Sequence, residues 1–83
     1  MIAITLVIDG KGRLAADAAI LLEGIPDAVH APVRQAVEEA TRRYTPKRGR
    51  EDELKENVRR AARRAAADAW GKKPVTRVEI AWV

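Results

Sequence analysis

Residues 2–8, IAITLVI, decide the fold of this 83-residue chain. Isoleucine or leucine occupies every even position of the stretch, and Ala3, Thr5 and Val7 occupy the odd ones. A period of two with several β-branched residues predicts a β-strand. Both faces of this strand are largely apolar, which is typical of a strand with a neighbour on each side. We therefore expect it in the middle of a sheet.

Two further strands are predicted, one on each side of a helical region. Residues 9–12, DGKG, predict a hairpin turn, because glycine tolerates positive φ. The return segment, residues 13–22, contains four alanines between its larger apolar residues, so we expect a bulge or a break there. The final segment, residues 75–83, alternates again. Its two faces carry Val78, Ile80 and Trp82 on one side and Arg77, Glu79 and Ala81 on the other.

Apolar residues at helical spacing predict two helices between the second and third strands. Pro32 is expected as the first residue of the first helix, where its missing N–H costs nothing. The second helix is expected to begin at the acidic residues 51–53 and to end at Gly71. The predicted apolar stripes are Val29, Val33, Ala36, Val37, Ala40 and Tyr44 in the first helix and Leu54, Val58, Ala61, Ala62, Ala65 and Ala69 in the second.

The element order is therefore ββααβ. Two antiparallel helices return the chain so that the third strand runs parallel to the first. Residues 1–83 are then a single domain of the α+β class, a two-layer sandwich. Its three-stranded mixed sheet has the order 2-1-3, and both helices cover one face.

The composition excludes most catalytic chemistry within this chain. It contains no Cys and a single histidine, His30, so thiol nucleophiles, Cys-ligated zinc and multi-His metal sites are excluded. It also contains no Ser, and its adjacent carboxylates are typical of amphipathic helices. We expect no catalytic residue, metal or cofactor here. No apolar run reaches the roughly 18 residues of a membrane span and no secretory signal is present, so we expect a cytoplasmic location.

Positive charge is concentrated in the second half of the chain. Residues 1–41 carry three basic and six acidic side chains, and residues 42–83 carry thirteen and six. Lysine and arginine displace the counterions of phosphates, which indicates an RNA partner. The alternative is a solvated helix face with its arginines paired to Glu56 and Asp68, and with Trp70 covering the end of the sandwich. The candidate RNA-binding residues are Lys47, Arg48, Arg50, Arg59, Arg60, Arg63, Arg64, Trp70, Lys72 and Lys73.

The second face of the sheet is a candidate protein interface, because two helices on one face leave the other uncovered. An exposed apolar patch of this kind commonly marks an interaction site. The alternative is a small sheet that tolerates an apolar exposed face. The candidate interface residues are Thr5, Val7, Leu21, Ala81 and Val83.

Three stretches resemble the C-terminal domain of the ribonuclease J family, the bacterial β-CASP metallo-β-lactamase ribonucleases. They are residues 4–14, ITLVIDGKGRL; residues 20–25, ILLEGI; and residues 70–83, where WGKKPV continues into EIAWV. The Arg- and Ala-rich second helix is similar to the alphaproteobacterial branch. The chain departs from the family at Ala18-Ala19, where a proline is usual, and at Ile25, where an aromatic residue is usual.

The resemblance implies that the chain is the non-catalytic C-terminal fragment of a longer enzyme. That parent would be a zinc-dependent 5′-to-3′ exo- and endoribonuclease acting in mRNA decay and rRNA processing. Its metal centre would lie in another domain, whose His-x-His-x-Asp-His motif is absent here. The implied partners are the rest of the parent, a second subunit in a homo-oligomer, and RNA, with no membrane.

A stand-alone RNA-binding module is the alternative. The ββααβ order is similar to part of a KH domain, which binds RNA through a Gly-x-x-Gly loop. The corresponding loop here, residues 46–50, contains one glycine.

Overall fold

A computed structural model describes residues 1–43 and 49–83. These residues form three strands and two helices in the predicted order ββααβ. They are β1 (Ile2–Ile8), β2 (Ala19–Leu22), α1 (Asp27–Arg43), α2 (Glu51–Trp70) and β3 (Thr76–Trp82). Tyr44, predicted in the stripe of the first helix, lies outside the described residues, as do the candidate RNA-binding residues Lys47 and Arg48.

The sheet has the predicted order β2-β1-β3. β1 pairs with β2 in the antiparallel sense, with Ile4 opposite Ile20. It pairs with β3 in the parallel sense, with Ile4 opposite Val78. This mixed pairing follows from the connections, since a tight turn joins antiparallel neighbours and the two helices return the chain for a parallel one.

The β1–β2 hairpin contains the predicted irregularity. Its turn is stabilised by the Asp9 carboxylate, which accepts hydrogen bonds from the backbone N–H groups of Lys11 at 2.8 Å and Arg13 at 3.0 Å. Ile8 pairs with Leu14, but Thr5 pairs with Ala19. Residues 15–18 therefore lie opposite only residues 6–7, and the second strand bulges between its two paired parts.

The prediction for the start of α1 was wrong, because the helix begins at Asp27 and Pro32 lies inside it. The N–H of Val29 donates to the carbonyl of Pro26 at 2.9 Å, so Pro26 is the proline at the helix start. Val29 is 1% exposed, and its burial against the sheet requires a helical turn before Pro32. His30 Nε2 donates to the carbonyl of Ile25 at 2.9 Å, which holds this start in place.

α2 ends at the predicted glycine. Gly71 has a φ of 80°, and its N–H donates to the carbonyl of Ala67 at 2.8 Å. The predicted apolar stripe of α2 is correct except at its end. Ala69 was predicted in the stripe and is exposed, whereas Ala66 was not predicted there and is buried. A 20-residue helix is about 30 Å long and a seven-residue strand about 23 Å, so α2 is longer than the strands that it packs with.

The core lies between the sheet and the two helices. The four even-numbered side chains of β1 are at most 1% exposed, and buried valines of α1 and alanines of α2 pack with them. Alanines let α2 approach closely, which leaves little space around Ala62 and Ala66, both 0% exposed. Within residues 1–43 and 49–83, neither helix has the length and hydropathy needed to cross a bilayer.

The tight contact of α2 can be tested by enlarging one alanine. We expect Ala62→Leu to lower the free energy of unfolding by about 1–3 kcal/mol, because a close-packed core has no room for the extra carbons. Ala69→Leu is the matched control on the exposed last turn, and a change within about 0.5 kcal/mol is expected there. Urea unfolding followed by circular dichroism measures both. Equal destabilisation by the two substitutions would contradict this packing.

Candidate protein and RNA interfaces

The face of the sheet opposite the helices is open in the described part of the chain. The odd-numbered side chains of β1 and β3 point to this face, because side chains alternate along a strand. Thr5 and Ala81 are exposed and Val7 is half-buried. Leu21 is 58% exposed and Val83 is 70% exposed. The register places Thr5, Val7, Leu21 and Ala81 on one face, and Val83 directly follows β3 at the end of the sheet.

The register shows that this face is divided into two apolar ends. Val7 lies beside Ala81, and Val83 follows at the same end of the sheet. Leu21 lies beside Ala3 at the other end. Between these ends Thr5 lies beside Glu79, and at the Leu21 end Arg77 lies on the other side of Ala3. The open face therefore combines two small apolar areas with one acidic and one basic side chain on β3.

Glu56 pairs with two of the candidate RNA-binding arginines on α2. Its carboxylate accepts from Arg59 at 2.6 Å and 3.0 Å in a two-point contact, and from Arg60 Nε at 2.9 Å. Part of the positive charge of this helix is therefore compensated within one turn. The sequence predicted this pairing as an alternative to RNA contact, and helical spacing explains it.

Arg63 and Arg64 lie one turn further along α2 and are exposed. Among the described residues, neither has a carboxylate within ion-pair distance, although Asp68 was a predicted partner. Arg60 and Arg64 also border the groove between α1 and α2, opposite Arg43. A shallow basic depression is formed by Glu56, Arg59, Arg60, Arg63, Arg64 and Lys73.

Trp70 and Lys72 lie at the end of α2. The Trp70 side chain is half-buried and packs against the core. The ammonium group of Lys72 is 4.9 Å from the centroid of the Trp70 ring, a cation–π contact. Trp70 thus covers the end of the sandwich, and Lys72 occupies one side of its ring. Arg50 lies exposed at the opposite end of α2, immediately before its first turn.

Hydrogen bonds lower the pKa values of two glutamates on α2. For Glu51 the main cause of the lowered pKa is its own backbone N–H, followed by the N–H of Gly49 at 3.0 Å and by the side chain of Trp82. The Glu51–Trp82 contact joins the start of α2 to the end of β3. For Glu56 the main cause is the hydrogen bond from Arg59, whose own pKa is raised by the same pair.

The described residues do not bring metal ligands together. Within residues 1–43 and 49–83, no group of three or more His, Asp or Glu side chains is close enough to bind a metal ion. His30 lies near the start of α1, where it donates to the carbonyl of Ile25. The open sheet face and the basic surface of α2 are two surfaces on which the described residues bring predicted site residues together.

Comparison of the chain with protein-family models, with curated proteins and with solved structures gives no match.

The lowered pKa values predict an acid-dependent part of the stability. A carboxylate whose pKa is lower in the folded state stabilises the fold fully above its unfolded pKa, and this contribution is lost as the pH falls through the folded value. We expect Glu56→Gln and Glu51→Gln each to flatten the fall in melting temperature between neutral and acidic pH. Thermal unfolding over that pH range is the measurement. Curves that stay parallel to the unsubstituted chain would contradict the assigned pairs.

Proposed function

We propose that the chain is the non-catalytic C-terminal domain of a ribonuclease J-type enzyme, where it supports oligomerisation or the positioning of the catalytic part. The observation that carries the proposal is the open sheet face, with Val7 half-buried at its centre strand and Leu21 and Val83 exposed beside it. A domain whose sheet is covered on one side only has a surface available for another protein.

The positions of the resembling stretches support this proposal. Residues 4–14 form most of β1 and the hairpin turn, residues 20–25 include most of β2, and residues 70–83 include the glycine cap of α2 and all of β3. The resemblance extends over essentially the whole chain, and these three stretches include most of the three strands. These strands build both the core and the open face, so the three stretches include the part of the chain that would dock.

Under this proposal the chemistry is supplied elsewhere in the parent. The parent would cleave RNA in mRNA decay and rRNA processing with zinc bound in its metallo-β-lactamase domain, in the cytoplasm. This domain would contribute no catalytic side chain and no cofactor ligand. Its partners would be the rest of the parent ribonuclease and a second subunit.

Val7→Glu tests whether the open face is an interface. We expect weaker association between subunits in the full-length enzyme that carries this domain, because a carboxylate buried in an interface without a partner bears its desolvation cost. The domain should still fold, since Val7 points away from the core formed by Ile4 and Leu6. Sedimentation equilibrium measures the association, and thermal unfolding measures the fold. Gln35→Glu is the matched control, because it adds the same charge on an exposed position of α1.

An unchanged subunit mass in the Val7→Glu enzyme would exclude the open face as the contact between subunits. Loss of the melting transition in the isolated domain would mean that the two faces of the sheet are assigned wrongly. Equal effects of Val7→Glu and Gln35→Glu would show that added negative charge alone weakens association.

A second candidate function, RNA binding by the basic helix, is favoured by one observation. Arg63 and Arg64 are exposed without a described carboxylate partner, and Lys73 lies beside the same depression. Such a surface would contact phosphates without reading sequence. RNA contact is compatible with a domain inside a ribonuclease and with a stand-alone RNA-binding module.

The ion pairs of Glu56 predict that the four arginines contribute unequally to RNA affinity. Each lost phosphate contact flattens the slope of log K against log salt by roughly 0.7 for single-stranded RNA, so replacing all four by Gln should flatten it by up to about 3. We expect Arg63→Gln combined with Arg64→Gln to flatten the slope by up to about 1.4. Arg59→Gln with Arg60→Gln is the matched control with a smaller effect, because these two already pair with Glu56. Fluorescence anisotropy at several salt concentrations measures the slopes.

Glu56→Gln sharpens this comparison by releasing Arg59 and Arg60. If the helix binds RNA, this substitution should raise the affinity and steepen the salt dependence. Unchanged slopes in all of these variants would mean that the basic surface is a solvated helix face.

A further inference from the structure

The outer edge of β3 presents backbone groups that no described element pairs with. The N–H of Ile2 donates to the carbonyl of Val75, and the N–H of Val83 donates to the carbonyl of Ile8. In a parallel ladder these two hydrogen bonds mean that the N–H and C=O groups of the odd-numbered residues of β3 point toward β1. The backbone groups of Thr76, Val78 and Ile80 therefore point away from the sheet. Since β3 is the last strand in the order β2-β1-β3, these groups form an unpaired edge within residues 1–43 and 49–83.

The open-face side chains of β3 are self-complementary in one antiparallel register. If a second β3 pairs with the first about a two-fold axis at Val78, Thr76 lies opposite Ile80 of the other copy. In this register Arg77 lies opposite Glu79 of the other copy. The two-fold axis generates the same pair a second time, with Glu79 opposite Arg77 of the other copy. Opposite charges directly across two strands stabilise their pairing. Among the described residues, neither Arg77 nor Glu79 has an ion-pair partner within its own chain.

The neighbouring registers lack this match. Pairing must keep the even-numbered residues opposite each other, because only their backbone groups point outward. Moving the axis to Glu79 places the two Glu79 carboxylates opposite each other, which is destabilising. Moving it to Ile80 places Arg77 opposite Val83 and Glu79 opposite Ala81, with no charge pair. The charges of β3 therefore select the register centred on Val78.

The charges that line the groove beside this edge do not repel a second copy. The groove between α2 and β3 is lined by three acidic and three basic side chains. Those on the α2 side are Asp52, Lys55, Glu56 and Arg59, and the β3 side has Arg77 and Glu79 together with Thr76 and Val78. This lining has no net charge, although the whole chain has a net charge of +4. A second copy can therefore approach here without the repulsion that the Arg63–Arg64 surface would produce.

We propose that two copies of this chain associate through antiparallel pairing of their β3 edges, centred on Val78, to form one continuous six-stranded sheet. The proposal rests on the oligomerisation role given above and adds one contact to it: the partner is a second copy of this chain, and the contact is the β3 edge beside the open face. Exposed strand edges are a common route to such association, and backbone hydrogen bonds supply its affinity.

Charge reversal at the two side chains gives a specific test. With Arg77→Glu alone, both cross-strand pairs of the dimer consist of two glutamates. With Glu79→Arg alone, both pairs consist of two arginines. We expect the dissociation constant of each single variant to rise by about tenfold or more. An equimolar mixture of the two single variants should associate as the unsubstituted chain does, because every cross-strand pair is again opposite in charge. Arg77→Glu combined with Glu79→Arg in one chain should also restore association.

Sedimentation equilibrium measures these constants, and thermal unfolding checks that the exposed substitutions leave the fold intact. Complementation by the mixture supports the proposal. A chain that stays monomeric at all concentrations, or single variants that associate unchanged, would overturn it. Association that Val7→Glu abolishes while charge reversal does not would keep the open face as the interface and reject the edge.

Amide hydrogen exchange provides a second, independent readout of the backbone contact. The outward N–H groups of Val78 and Ile80 should exchange more slowly at high protein concentration than at low concentration. The N–H groups of Ile20 and Leu22 on the opposite edge are the internal control and should not depend on concentration. Equal behaviour at the two edges would contradict pairing through β3.

Discussion

Burial of the even-numbered side of β1 is the interaction on which the rest of the structure depends. Ile2, Ile4, Leu6 and Ile8 are all at most 1% exposed, and β1 is hydrogen-bonded on both sides. Both helices are held against this row, and β2 and β3 are aligned by their pairing with β1. A small domain has little apolar surface to bury, so a central strand with one complete apolar row supplies a large part of its stability.

The same arrangement determines which surfaces remain available for partners. Two helices suffice to cover one face of three strands, so the odd-numbered side chains of β1 are left without cover. A three-stranded sheet also has two edges, and the longer one belongs to β3, with seven residues against four in β2. The proposed open-face contact and the proposed β3 edge contact are thus both consequences of a sheet that is small and covered on one side.

The two sides of α2 have different roles, because the inner side packs in the core and the outer side carries charged residues. Its inner side uses small residues, and Ala62 and Ala66 are fully buried because the helix lies close to its neighbours. Its outer side carries arginines whose surroundings differ. Arg59 and Arg60 share Glu56, whereas Arg63 and Arg64 have no described carboxylate. Four arginines that look equivalent in composition are therefore unequal as contacts for an anionic partner.

The sequence by itself determined the order of the strands and helices, the sheet order and the alternation that separates the buried side of β1 from its open side. Local periodicity and glycine chemistry carry that information, since a period of two in residues 2–8 and a left-handed cap at Gly71 depend on few long-range contacts. Tertiary structure decided the start of α1 at Asp27, because burial of Val29 against the sheet outweighed the preference of Pro32 for a helix start. It also decided that Ala69 is exposed, since α2 is longer than the strands that it packs with and the phase of the helix alone does not set where the core ends. The register of β3 against β1, and with it the outward direction of the Val78 backbone, likewise requires two strands that are distant in the chain to meet.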